Sequence, residues 1–105
     1  MPQPERRFIV YLLRCGDGSL YAGITDRLAA RVAAHGAGKA ARYTRSRLPV
    51  ALVWHKGRQT ATDARRLEWA LKQQPRDQKL RLVAGDETVW RRLRRKLGRS
   101  KLGRV

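Results

Sequence analysis

Compaction has to work against charge in this chain. Its 25 lysines and arginines stand against eight acids, a net +17 over 105 residues, and folding forces those like charges together. A stable fold must keep the cations outside one modest core, and a polyanionic partner relieves the repulsion that remains. Nucleic acid is the commonest partner of that kind, because bound cations release condensed counterions from phosphates. An anionic membrane surface or plain solubility are the blander readings of the same charge. Hydrophobic residues make up 42% of the chain, which argues against disorder throughout. The length fits one domain.

Other function classes are excluded by what is missing. The single cysteine, Cys15, forbids an internal disulfide and any multi-cysteine zinc site. The stretch Met1 to Arg7 is polar, and the apolar run after it, Phe8 to Leu13, is too short for a membrane span and lacks a cleavage site. The expectation is a cytoplasmic protein, away from membranes and monomeric by default. No P-loop, dinucleotide fingerprint, nucleophile elbow or His-Glu-x-x-His motif occurs.

Phe8 to Leu13 is β-branched and aromatic and reads as a strand covered on both faces. Cys15 to Ser19 is a turn rich in Gly and Asp, and Leu20 to Ile24 returns as the second strand of a hairpin. Thr25 or Asp26 can cap a helix from Arg27 to about His35, with Gly36 as its stop. Gly36 to Pro49 reads as a long basic loop, and Val50 to Trp54 as a third strand. Thr60 or Thr62 caps a second helix ending near Gln74, and Pro75 suits the first turn of a third, ending near Ala84. Glu87 to Leu97 is a last helix, with Val89, Trp90, Leu93 and Leu97 on one side and cations mostly on the other. The order is an α/β one: a small three-stranded antiparallel sheet flanked by helices, a ββαβαα core plus a basic C-terminal helix. Residues 1–97 form the domain, and 98–105 read as a mobile basic tail.

Three sets of residues could carry chemistry. Glu68 lies inside the apolar stripe of Ala64, Leu67 and Leu71, where a carboxylate is costly unless a positive group meets it. That group is either Lys72, four residues on, or a divalent metal. Tyr11 and Tyr21 share a face of the hairpin if its loop has an odd number of residues, and oppose if the number is even. They are either packing residues or phenols for proton transfer. Arg31 and His35 share a helix face with Arg27, and Arg is suited to bidentate phosphate binding. Each also has a mundane reading, as a solvated charge or a satisfied structural histidine. His55 reads as structural.

The string Ile9-Val10-Tyr11, with Tyr11 ten residues before Tyr21-Ala22-Gly23, resembles the paired signature of the GIY-YIG nuclease superfamily. Arg31 and His35 in Leu28-x-x-Arg31-x-x-x-His35 resemble the family's first helix, and Glu68 takes the place of its metal-binding glutamate. Gly38 to Thr44 and Leu71-Lys72-x-x-x-Arg76-x-x-Lys79 are similar to stretches of the short stand-alone bacterial GIY-YIG proteins. The likeness covers roughly Arg7 to Val83. It implies a three-stranded sheet flanked by helices and a metal-dependent endonuclease acting on DNA, structure-selective or repair-related, with RNA as a further possible partner. By that resemblance Glu68 binds one Mg²⁺ or Mn²⁺, Tyr11 is the general base with His35 as its hydrogen-bond partner, Tyr21 positions the phosphate and Arg31 neutralises the transition state. Arg27, Lys39, Arg42, Tyr43, Arg45, Lys72, Arg76 and Lys79 are the expected nucleic-acid contacts. Two positions depart from the pattern: Ile9 stands where the first triplet has glycine, and no asparagine follows Glu68, the chain having none. The alternative is a non-catalytic nucleic-acid binder on the same fold, and a third reading is a basic protein of membrane surfaces or ribosomes.

Overall fold

The computed structural model describes residues 7–102, without the side chains of 58–59 and 97–102. Three strands, β1 (Phe8–Arg14), β2 (Leu20–Thr25) and β3 (Ala51–Gln59), form one antiparallel sheet in the order β2-β1-β3. The central strand is the most apolar of the three, as its two covered faces require: Val10, Tyr11, Leu12 and Leu13 are all at most 1% exposed. Between β2 and β3 lie the helices α1 (Leu28–Gly36) and α2 (Arg42–Arg45), and after β3 come α3 (Ala61–Gln73), α4 (Arg76–Val83) and α5 (Glu87–Leu102). This is the small three-stranded sheet flanked by helices that the sequence implies, with one helix more.

The pleat sends alternate residues of β1 to opposite sides. Val10 and Leu12, with Ala22 of β2, join Ala64, Leu67, Ala70 and Leu71 of α3, Leu82 of α4 and Val89 and Leu93 of α5 in the main core. Each buried Leu contributes roughly 2 kcal/mol of transfer free energy. Of the two caps the sequence offers for α3, Thr60 is the one used: it is the N-cap and accepts the Asp63 backbone N–H, while the Asp63 carboxylate sits in the positive first turn. Tyr11 and Leu13 point the other way, toward α1 and α2.

Four local expectations need correction. Arg27 holds the N-cap position of α1 without a side-chain cap; Thr25 instead accepts the Arg27 N–H in a turn just before it. The basic stretch Gly36 to Pro49 is not all loop, since Arg42–Arg45 make the single turn α2. Strand β3 runs on from Trp54 to Gln59, because β1 extends back to Phe8 and offers it a ladder, and His55 lies within it. Helix α5 continues past Gly98 to Leu102, into the stretch expected to be a tail, while 103–105 and the Leu97 side chain lie outside the described residues.

Candidate active site

The turn between β1 and β2 decides which way the tyrosines face. Arg14 pairs with Leu20, so the turn holds the five residues 15–19, and Leu13 pairs with Tyr21. An odd turn puts Tyr21 on the same face as Leu13 and hence as Tyr11. The turn is held by its own chemistry: Gly18 adopts φ 84°, which glycine tolerates, and Asp17 accepts from the Ser19 N–H and hydroxyl. It is also tied to distant segments, through Arg47 Nε on Asp17 at 3.0 Å and Arg76 Nη1 on the Gly18 carbonyl at 2.8 Å.

Tyr11 crosses over the partner position Gly23. A Cβ built on Gly23 would stand 2.4 Å from the phenol oxygen and 2.5 Å from Cζ. The glycine of the Tyr21-Ala22-Gly23 string is therefore the space in which the phenol lies. There Tyr11 Oη is 2.8 Å from His35 Nε2, and His35 Nδ1 is 2.8 Å from the Thr44 hydroxyl, which donates to the Ala41 carbonyl at 3.2 Å. Tyr11, His35 and Thr44 are each at most 1% exposed, so this is a buried chain of hydrogen bonds running from the sheet through α1 into α2. Tyr21 meets the edge of the His35 ring at 5.3 Å between centroids and stacks on Tyr43 at 5.7 Å. The Arg47 guanidinium covers the Tyr43 ring at 3.8 Å.

Charge acts on this chain from two sides. Burial pushes the Tyr11 phenol above its ordinary 10.0; the Arg31 hydrogen bond and charge pull it back, and Tyr21 and Glu68 push it up further. Burial holds His35 below its ordinary 6.5, and the Arg31 charge acts in the same direction. At neutral pH the pair is thus a protonated phenol against a neutral imidazole. Tyr11, Tyr21, Arg31, His35 and Glu68 come from two strands and two helices; His35 touches both Tyr11 and Tyr21, and the charges of Arg31 and Glu68 act on the Tyr11 phenol.

Glu68 lies on α3 with its side chain 23% exposed. Lys72 Nζ lies 3.5 Å from Glu68 Oε2 and is itself half exposed. Such a solvated pair is worth about 0–1 kcal/mol, so it leaves the carboxylate available to a stronger cation. Among the described residues no group of three His, Cys, Asp or Glu could enclose a metal. A lone carboxylate beside open solvent suits a hard ion such as Mg²⁺, which keeps several waters and takes substrate phosphate oxygens as ligands.

The remaining expected contacts divide. Arg27 and Arg31 line a depression of about 240 Å³ beside α1, and Lys39, Arg42 and Arg45 line another of about 230 Å³ around α2. Tyr43 is exposed and already stacked. Arg76 binds the hairpin turn, and Lys79 is half-buried on α4. Thr44 and Arg47 are absent from the expected set. No local pattern marks them, because their partners lie nine residues away at His35 and thirty away at Asp17.

The family model of the GIY-YIG catalytic domain matches residues 7–81. A UPF0213 protein of Lacticaseibacillus paracasei is 43% identical over 86 residues, which span 82% of this chain and 97% of that protein. A UPF0213 protein of Nitratidesulfovibrio vulgaris is 46% identical over 77 residues, 73% of this chain and 70% of the relative. The solution NMR structure of a UPF0213 protein from Bacillus halodurans is 38% identical, with a TM-score of 0.49, covering 74% of this chain and 83% of that one. The chain belongs to the GIY-YIG nuclease superfamily, and its relatives are the short stand-alone bacterial proteins of that family. Nuclease superfamilies act on nucleic acid, which agrees with the charge. No helix among the described residues is long and apolar enough to cross a membrane.

Proposed function

We propose that this protein is a metal-dependent endonuclease that hydrolyses DNA phosphodiester bonds in the cytoplasm, selecting DNA by structure rather than by sequence. The observation that carries the reading is a buried phenol, hydrogen-bonded to a neutral histidine, on which the charges of Arg31 and Glu68 both act. In-line hydrolysis needs an oriented water, a path for its proton and positive charge against the phosphate. Tyr11 takes the proton of the attacking water as it passes its own to His35 Nε2, so the phenol need not ionise in the resting state. Tyr21, held between His35 and Tyr43, orients the phosphate, and Arg31 balances the charge that develops there. Glu68 would hold Mg²⁺ or Mn²⁺, which supplies Lewis-acid stabilisation of the phosphate when bound. The depressions beside Arg27 and around Lys39, Arg42 and Arg45 would take flanking phosphates. Selection by structure is supported by cations spread over several elements rather than gathered on one helix.

A panel of plasmid, nicked, flapped, junction and single-stranded DNA, with and without divalent metal, tests this directly. Wild type should cleave at least one form only with metal. Glu68→Gln should abolish that cleavage, keep DNA binding within a few-fold and leave thermal stability nearly unchanged, since only a half-exposed ion pair is removed. Marked destabilisation with cleavage retained would make Glu68 structural and end the catalytic reading. Binding itself should be steeply salt-dependent: with ~6 phosphates neutralised, affinity falls on the order of a thousandfold between 50 and 200 mM salt. A flat salt profile would remove nucleic acid as the partner.

The second reading is a non-catalytic binder on this fold. It is favoured by the Lys72 cation already at Glu68 and by the lack of an asparagine after the glutamate, which several active members of the family carry. Binding without cleavage of any DNA form, with either metal, would select it.

A further inference from the structure

The proposed chemistry uses His35 Nε2 as a proton acceptor, yet a neutral imidazole can carry its proton on either nitrogen. We propose that Thr44 makes the choice: it is a positioning residue that holds His35 as the Nδ1–H tautomer and so leaves Nε2 bare toward Tyr11. This rests on the nuclease reading for its consequence in catalysis, and on hydrogen-bond geometry alone for the tautomer.

A threonine hydroxyl has one proton to give and two lone pairs to receive. The Ala41 carbonyl, 3.2 Å from Thr44 Oγ1, can only accept, so the hydroxyl proton is directed there. What Thr44 then offers Nδ1, at 2.8 Å, is a lone pair, and Nδ1 must bring the proton. Nε2 is left without one, 2.8 Å from the phenol, and Tyr11 donates to it. The opposite polarity would put a proton on Nε2. The phenol oxygen would then face a donor, and the imidazole could not receive its proton.

The short helix α2 is what fixes the Thr44 proton. Ala41 is its N-cap, and the Ala41 carbonyl accepts the Arg45 N–H at 2.9 Å as the helical turn closes. Thr44 stands three residues on, where a hydroxyl reaches back to that carbonyl. The turn thus aims one lone pair at α1, and its Thr44 is fully buried so that no water competes.

Long-range nitrogen-proton NMR on uniformly ¹⁵N-labelled protein, without DNA or metal at neutral pH, reads the tautomer directly. His55→Gln, an exposed position, assigns which ring signals are those of His35. Wild type should show a protonated Nδ1 and a bare Nε2. Thr44→Ser should show the same, and Thr44→Val, which keeps the shape and removes the acceptor, should lose that preference. A wild-type Nε2–H tautomer would overturn the proposal, as would an unchanged tautomer in Thr44→Val. The wild-type and Thr44→Ser spectra decide it even if the valine variant fails to fold. On the DNA form that wild type cleaves, Thr44→Val should lose on the order of a hundredfold in kcat with KM little changed, and Thr44→Ser should recover most of it. Equal kcat in Thr44→Val and wild type would also overturn it. If wild type cleaves nothing, the nuclease reading fails while the spectra still decide the role of Thr44.

Discussion

The two sides of the sheet share one strand and differ in what they are built to do. One side carries Val10, Leu12 and Ala22 into an apolar core roofed by α3, α4 and α5. The other carries Tyr11 and Leu13 toward α1 and α2, and its deepest residues include His35 and Thr44, buried completely. A buried polar group costs about 1–3 kcal/mol if its hydrogen bonds are unmade. The second side therefore stays intact only while Tyr11, His35, Thr44 and Ala41 remain in register. The apolar side tolerates shape errors by repacking, whereas the polar side has one arrangement that satisfies every partner. Stability resides mainly in the first and chemistry in the second, and Glu68 bears on the chemical side through its charge from α3, a helix of the stable one.

The largest effect that could break this division is expected at Gly23. A methyl group there would stand 2.4 Å from the Tyr11 oxygen, in a place where the ring has no room to retreat. Gly23→Ala should cost about 1–3 kcal/mol as an overpacking change, while cleavage falls by on the order of a hundredfold, because the phenol is displaced from His35. Cleavage kinetics on the folded protein check it, and wild-type rates in Gly23→Ala would mean the phenol has no chemical role. The converse variant sharpens the comparison. Leu93 on α5 is fully buried in the apolar core, a cluster that contains none of the five site residues. Leu93→Ala should lower unfolding free energy by about 2–5 kcal/mol, read by denaturant titration, with kcat of the folded protein within a few-fold of wild type. A matching fall in kcat would show that the two sides are mechanically one.

The apolar side was legible in the sequence and the polar side only in outline. Helix α3 follows from the spacing of Ala64, Leu67 and Leu71 and from a threonine cap, local signals that left only the choice between Thr60 and Thr62 open. The doubly covered β1 follows from its unbroken apolar run. The facing of Tyr11 and Tyr21 did not follow, because it turns on whether the hairpin loop is odd or even, and a shift of one residue at either strand end reverses it. The four residues of α2 are too few to show a helical period. What holds that turn is the approach of Thr44 to His35, a contact between segments that no local pattern records. Glu68 was visible as a misfit in an apolar stripe, but its choice between Lys72 and a metal was open, and the half-exposed pair at 3.5 Å keeps both available.

The smallest expected effect is on pH dependence, and it bears on the polar side of the sheet. Burial and the Arg31 charge hold His35 below 6.5 in the fold, while the unfolded chain restores the ordinary value. Between those two values the unfolded state binds more protons than the folded state, so stability rises with pH across that window. The neutral imidazole's contribution is thus complete above pH 6.5 and is lost as pH falls toward and through the depressed folded value. Cleavage should fall over the same acid range, because a protonated Nε2 cannot accept from Tyr11. On the alkaline side Tyr11 is held above 10.0, so no loss from its ionisation is expected near neutrality. Denaturant titrations and cleavage rates from pH 5 to 8 measure both curves. Replacing His35 with Gln should flatten the acid limb of stability, whereas Leu93→Ala should lower the whole stability curve and leave its acid limb in place. An acid limb that persists in His35→Gln would place the responsible proton outside the buried chain and dissolve the division drawn between the two sides of the sheet.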